Sequence, residues 1–326
     1  MRASLSASLL GVLALSACNN PQPANDTGPT TTPDTGVPTD MGPVVVTCPS
    51  GGTPPIPDSA NQMGPCCYRV SQAAHESMPE LRLRYLHIAA PMGSALASST
   101  TATLLNASLA NETFNWLVRG SGNGSDGPFT IQTGYGTRDS TAGTYAFSTM
   151  TRYAPVTLNG TLTGEVVTTG ADPGTLVVPI FDPAGTTLEL ELQLHNPEVV
   201  MSTFSENRSC IGTYMGRSVF STPGQLSGYL LVTESQSSLI NVPPIMAQLC
   251  TLIASSGFTE PTTGHYCDAA QSTWTVKPDS LCATGAACVH DDGTGSTCSH
   301  DGTGATPCNA WQLVGDFAAV GVEITP

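Results

Sequence analysis

"LELELQLH", Leu188 to His195, alternates without a fault. Leu188, Leu190, Leu192 and Leu194 fall on one side of an extended chain; Glu189, Glu191, Gln193 and His195 fall on the other. A strand sends successive side chains to opposite faces, so a strict period of two predicts one buried and one wetted face. The same signal recurs on either side. "LRLRYLHI" (Leu81 to Ile88) alternates apolar with charged residues. "FTIQT" and "TYAFST" flank a glycine-containing turn, and "VTLNGTLTGEVV" is followed by "TLVVPIF" and the turn "DPAG", Asp182 to Gly185. "GYLLVTE" and the closing "FAAVGVEITP" add two more runs. Short β-prone runs with frequent turns and no βαβ rhythm predict a mainly β fold, an antiparallel sandwich or barrel-like domain.

Two segments break the pattern and predict packed helices. "TATLLNASLA", Thr101 to Ala110, is one. The second is "NVPPIMAQLCTLIASSG", Asn241 to Gly257, with Asn241 as cap, prolines in the first turn and Gly257 as stop. Ile245, Leu249, Leu252 and Ile253 would then form its buried stripe.

The ends differ in composition from this middle. Arg2, the apolar run "LSASLLGVLALSA" of 13 residues and Ala17 make an export signal, too short to span a bilayer, which takes about 20 residues. Leu15-Ser16-Ala17-Cys18 follows. It resembles the lipobox of bacterial lipoproteins, which implies that Cys18 is acylated and becomes the mature N-terminus. Asn19 behind it, rather than Asp, implies by the same resemblance the outer membrane, on a face the sequence leaves open. Residues 18–43 are rich in Pro, Thr, Asp and Gly. Such a tract buries too little apolar area to offset its ordering entropy and is expected to be a disordered tether. At about 3.1 Å per residue it would reach on the order of 75 Å. The expected organisation is thus a signal at 1–17, a tether at 18–43, a β-rich domain at 44–260 with a cysteine-containing opening segment, and a cysteine-rich segment with a closing strand at 261–326.

The chain has 11 cysteines. Lipidation of Cys18 leaves ten: Cys48, Cys66, Cys67, Cys210, Cys250, Cys267, Cys282, Cys288, Cys298 and Cys308. An even number in an exported chain predicts disulfides, with connectivity left open. The 326 residues carry 25 acidic against 10 basic side chains, a net charge of −15, which excludes nucleic acid as a natural partner. The membrane, through the acyl anchor, is the expected partner, together with an envelope protein or a carbohydrate.

Candidate chemistry gathers near the C-terminus. "CVHDDGTGSTC" (Cys288 to Cys298) is echoed by "CSHDGTGATPC" (Cys298 to Cys308). Asp291, Asp292 and Asp301 on glycine-rich loops suit Ca²⁺, which takes oxygen ligands, but Asp-Gly is equally a tight-turn signal. Trp116 reads as core. Trp274 and Trp311, in the cysteine-rich part, would suit sugar stacking if exposed. "HESMP" has Pro79 where a second zinc histidine would stand. No local motif marks a nucleophile. The sequence predicts no Ser-His-Asp, Cys-His or metal-histidine cluster among His75, His87, His195, His265, His290 and His300, and hence a binding or structural module; an exported hydrolase with a dispersed catalytic set is the alternative.

Overall fold

A computed structural model describes residues 78–182, 186–205, 208, 210–216, 219–242, 245–254, 258–259, 266–267, 270–283 and 286–326. Its strands are β1 (Glu80–Ala90), β2 (Trp116–Gly122), β3 (Gly127–Arg138), β4 (Tyr145–Phe147), β5 (Val156–Thr163), β6 (Val166–Thr169), β7 (Thr175–Phe181), β8 (Leu188–Val199), β9 (Ser202–Thr203), β10 (Cys210–Ile211), β11 (Thr213–Gly216), β12 (Val219–Ser221), β13 (Gly224–Leu231), β14 (Leu239–Val242), β15 (Ile245–Gln248), β16 (Phe258–Thr259), β17 (Tyr266–Cys267), β18 (Ser280–Leu281), β19 (Val289–His290) and β20 (Ala310–Gly321). The helices are α1 (Ser99–Ala110), α2 (Val232–Ser237) and α3 (Leu249–Ala254).

One antiparallel sheet dominates, in the order β7-β8-β13-β20-β1-β2-β3-β5-β6-β9. The fold is mainly β, as the alternation predicts, and the sheet curls so that its two ends face each other. Val199 at the end of β8 donates its N–H to the Thr169 hydroxyl of β6 at 2.8 Å. Tyr135 of β3 meets Phe181 of β7 at 5.6 Å between ring centres, and Arg152 pairs with Glu191 of β8 at 2.5 Å. The concave face holds one continuous core running from Leu81 to Ala319. In β8, Leu190, Leu192 and Leu194 lie in it; Leu188, at the edge, is exposed.

In β1 the alternation shifts. The register slips between Leu83 and Tyr85, so Leu81, Leu83, Leu86 and Ile88 share the core while Tyr85 turns outward against Cys210 and Ala318. A bulge flips the face of everything beyond it. The Leu86 N–H freed there donates to Asn106 of α1 at 2.8 Å. That helix starts at Ser99, two residues before the expected Thr101, and is capped by the Ser98 hydroxyl.

The second expected helix is a correction. Leu239–Val242 and Ile245–Gln248 are extended and pair as the hairpin of β14 and β15, and among the described residues of this segment only Leu249–Ala254 is helical. The residue before a proline is driven out of the helical region, so Pro243 and Pro244 favour an extended approach rather than a first helical turn. The β-branched residues Ile240, Val242 and Ile245 add to that preference. What remains helical is pinned by the Cys250–Cys267 disulfide. Ile245 therefore belongs to a strand, not to a helical stripe.

The C-terminal strand β20 sits mid-sheet, hydrogen-bonded to β1 on one side and β13 on the other. The cysteine-rich loops before it are attached through β18, which pairs with both β19 and β20.

Candidate functional site

The concave face of the curled sheet is not filled. A cavity of about 60 Å³ lies between Leu83, Ile131, Val178, Leu192, Leu313 and Phe317. Its lining is apolar but for Thr133 and Ser202. Thr133 is committed: its hydroxyl donates to the Leu117 carbonyl at 3.1 Å and accepts from the Trp116 indole at 2.9 Å. Ser202, on β9 opposite Val167, is buried, and its hydroxyl meets no hydrogen-bond partner among the described residues. Leu86 and Leu226, both half-buried, flank Gly315 on the same wall.

Among the described residues, hydroxyl, imidazole and carboxylate come together in two places, against the sequence expectation. The first is Thr175, His195 and Glu234. His195 Nε2 lies 2.7 Å from a Glu234 oxygen, and Nδ1 lies 3.1 Å from the Thr175 hydroxyl. With Nε2–H donating to Glu234, Nδ1 accepts from Thr175, the connectivity of a nucleophile triad. An acyl-transfer site also needs N–H donors for the developing oxyanion. Two adjacent backbone N–H groups are already spent: Gly174 donates to Asp172 Oδ1 at 2.6 Å, and Asn196 donates to the Gly174 carbonyl at 3.1 Å. The set fastens β7 and β8 to α2.

The second is Asp279, Ser280 and His290. The Ser280 hydroxyl donates to Asp279 Oδ1 at 2.7 Å and lies 3.3 Å from His290 Nδ1. Its O–H is directed at the carboxylate, so Oγ can only accept from the imidazole, the reverse of base activation. Ser280 is fully buried, and Asp279 Oδ1 also accepts the Gln312 N–H at 2.8 Å. Sequence reasoning missed both sets because each histidine lies 10 or more residues from its hydroxyl partner, 10 for His290 and Ser280 and 20 for His195 and Thr175.

The aspartate loops are organised from within. Asp291 is buried. Its Oδ1 accepts from Gly293 N, Gly295 N and His300 Nε2 at 3.0, 2.9 and 3.1 Å. Its Oδ2 accepts from Thr297 N at 2.7 Å and Cys298 N at 3.4 Å. The Thr297 N–H, ahead of the other donors, holds the Asp291 carboxyl well below the usual carboxylate range against the opposing effect of burial. Asp301 is lowered similarly, first by the Ser299 hydroxyl and then by Thr303. Asp292 accepts from Thr294 N at 3.2 Å. Donors around an oxygen are what a turn supplies and what a cation cannot use. Among the described residues no three His, Cys, Asp or Glu side chains are grouped to hold a metal ion.

Trp274 and Trp311 are buried and stacked on each other, 5.4 Å between ring centres at 19°, which removes the exposed sugar platform considered for them. Trp116 is core, as expected. Cys282 bonds Cys288 and Cys298 bonds Cys308; Cys210 is disulfide-bonded as well. The two halves of the near-repeat are therefore closed differently: the second by its own cysteines, the first through Cys282. Cys18, Cys48, Cys66, Cys67, His75 and His265 lie outside the described residues.

No protein-family model, no curated protein and no solved structure matches this chain.

Proposed function

We propose that this is an exported protein of the cell envelope, lipid-anchored through Cys18, whose disulfide-stabilised β-rich domain is a binding module. Leu15-Ser16-Ala17-Cys18 supports the anchor, and two or three acyl chains suffice for stable attachment where one does not. The observation that carries the binding reading is the apolar cavity inside the curled sheet. Concave, mostly apolar sites with few polar groups are where small molecules bind. The Cys18→Ala variant is expected to leave the membrane fraction, and intact mass should show acyl chains on Cys18 of the native chain. A mature N-terminus beyond Cys18 without acyl mass ends the anchor reading.

The Thr175–His195–Glu234 set favours a second reading, an exported hydrolase. His195→Ala would then abolish turnover of a simple activated ester by the native protein; unchanged turnover, or none to begin with, leaves the set as a fastener.

A further inference from the structure

We infer that the cavity within the curled sheet takes a small neutral molecule, largely apolar, with a single hydrogen-bonding group that meets Ser202. This rests on the binding reading above and names the chemistry of its ligand. Three observations converge on it.

The first is size. A cavity of about 60 Å³ is roughly four to six times what one water needs by the same measure. It suits a ring or short chain rather than an ion or a solvent molecule.

The second is charge. Among the described residues no Asp, Glu, Lys, Arg or His lines the cavity. A carboxylate or ammonium there would lose its hydration and gain no counter-ion, a cost that small ligands cannot recover. Fatty acids and amines in their charged forms are thereby disfavoured, and alcohols, ketones and esters favoured.

The third is Ser202. Its hydroxyl is 1 % exposed as a residue, lines the cavity and has no partner among the described residues. An unmade buried hydrogen bond is costly, and satisfying it is where a ligand gains selectivity. Thr133, the other polar lining group, has both its roles filled. Position helps as well: β9 lies at the far end of the sheet from β7, paired to β6. The half-buried Leu86 and Leu226 flank Gly315, where an added Cβ would meet only Leu86 Cδ1 closely, at 3.2 Å.

The test uses the full-length oxidised protein and three probes of one shape: cyclohexanol, methylcyclohexane and cyclohexanecarboxylate at neutral pH. Binding is followed by NMR of the lining methyl groups. Cyclohexanol should bind roughly three- to tenfold more tightly than methylcyclohexane, the range of one net neutral hydrogen bond; the carboxylate should not bind. Ser202→Ala should erase the preference for the alcohol while methylcyclohexane still binds. Gly315→Val, which extends a side chain towards the cavity, should weaken both neutral probes; Val199→Leu serves the same purpose if that variant does not fold. Equal binding of alcohol and hydrocarbon by the native protein, or a preference that survives Ser202→Ala, overturns the assignment of Ser202 but leaves an apolar binding site. Saturable binding of none of the probes overturns the cavity as a ligand site altogether.

Discussion

Arg82 is the residue whose loss should hurt this fold most for its size. It sits on the convex side of β1, opposite Leu117 and Val320, yet it is fully buried. Its Nε donates to Asn115 Oδ1 at 2.6 Å, and Nη2 donates to the carbonyl of Leu109. That carbonyl lies at the C-terminal end of α1, where a cation is favoured by the helix dipole, and it also accepts the backbone N–H of Glu112 at 3.3 Å. Glu112 approaches to 4.0 Å, and the guanidinium lies over the Tyr145 ring at 5.7 Å. Arg82→Met keeps most of the stem's apolar contact and removes the charge and its donors. Breaking a buried pair from one side costs about 3–5 kcal/mol, because the remaining groups stay desolvated. At about 2–4 °C per kcal/mol for a domain of this size, the midpoint should fall by at least roughly 6 °C. Urea and thermal unfolding followed by fluorescence of the buried Trp116, Trp274 and Trp311 read this directly. Arg82→Lys, which keeps the charge but not the fork, should lose less. Glu112 keeps Arg138 at 2.5 Å and the Tyr145 hydroxyl at 3.0 Å, so adding Glu112→Gln to Arg82→Met should not return the loss. A cost for Arg82→Met below about 1 kcal/mol would place it in the range of an exposed pair and refute the reasoning.

The aspartate loops set the response to acid. Asp291 and Asp301 have folded values lowered by N–H and hydroxyl donors, so their contribution is present above the unfolded value of about 3.9 and lost as pH falls from there. Stability should decline below about pH 4, and Asp291→Asn should be less stable at neutral pH but flatter on acidification, as a pH series of melting curves would show. Burial raises Glu198, which works with the opposite sign, its contribution being lost as pH rises through its folded value. Millimolar Ca²⁺ should not shift the melting temperature; a shift abolished by Asp291→Ala would restore the calcium reading. Alkylation under denaturing, non-reducing conditions should label none of Cys250, Cys267, Cys282, Cys288, Cys298 and Cys308. Replacing Cys298 and Cys308 by Ser should cost about 2.7 kcal/mol in urea, the chain-entropy value for a separation of 10 residues.

What was legible in the sequence was what strands impose locally. The period of two marked β8 and the first half of β1 closely, because each has one face in a single core and needs no distant partner to make its pattern readable. Legibility failed where a local signal carried two meanings. Pro243 and Pro244 fit both a helical first turn and an extended approach, and the hairpin of β14 with β15 decided the matter by pairing. Arg82 looked like a solvated position of an alternating strand; α1 covers it, and nothing in "LRLRYLHI" reports that a helix would close over that face. The hydroxyl–imidazole–carboxylate sets were invisible for the same reason. Thr175 and His195 are cross-strand partners, and Glu234 enters only because β13 lies beside β8. The tryptophans of the cysteine-rich part were misplaced through composition: a loop-rich segment suggests exposure, but β20 runs mid-sheet and takes Trp311 into the core, with Trp274 stacked on it.

The position of the cavity follows from how small and large residues face one another around the curl. Gly120 and Gly122 of β2 lie beneath the Phe129 ring, where a Cβ at either would stand 2.5 Å from a ring carbon. Gly224 of β13 lies beneath Phe317 in the same way. Each glycine is covered by an aromatic from a neighbouring strand, and the strands close up there without strain. Gly315 of β20 has no such cover. Its cross-strand neighbours are Ile88 and Leu226, and no ring covers it; Leu86 alone approaches from the side. Tightly packed interiors leave few voids larger than a water, since each forfeits dispersion contacts along its lining. Filling position 315 with an alanine would recover contacts at small steric cost, given that Leu86 is the single close neighbour. The chain instead keeps a glycine, and a buried serine without a partner among the described residues, on the wall of one cavity, so two separate stabilising choices are forgone there. A purely structural sheet would gain from replacing either, which supports the binding site proposed above.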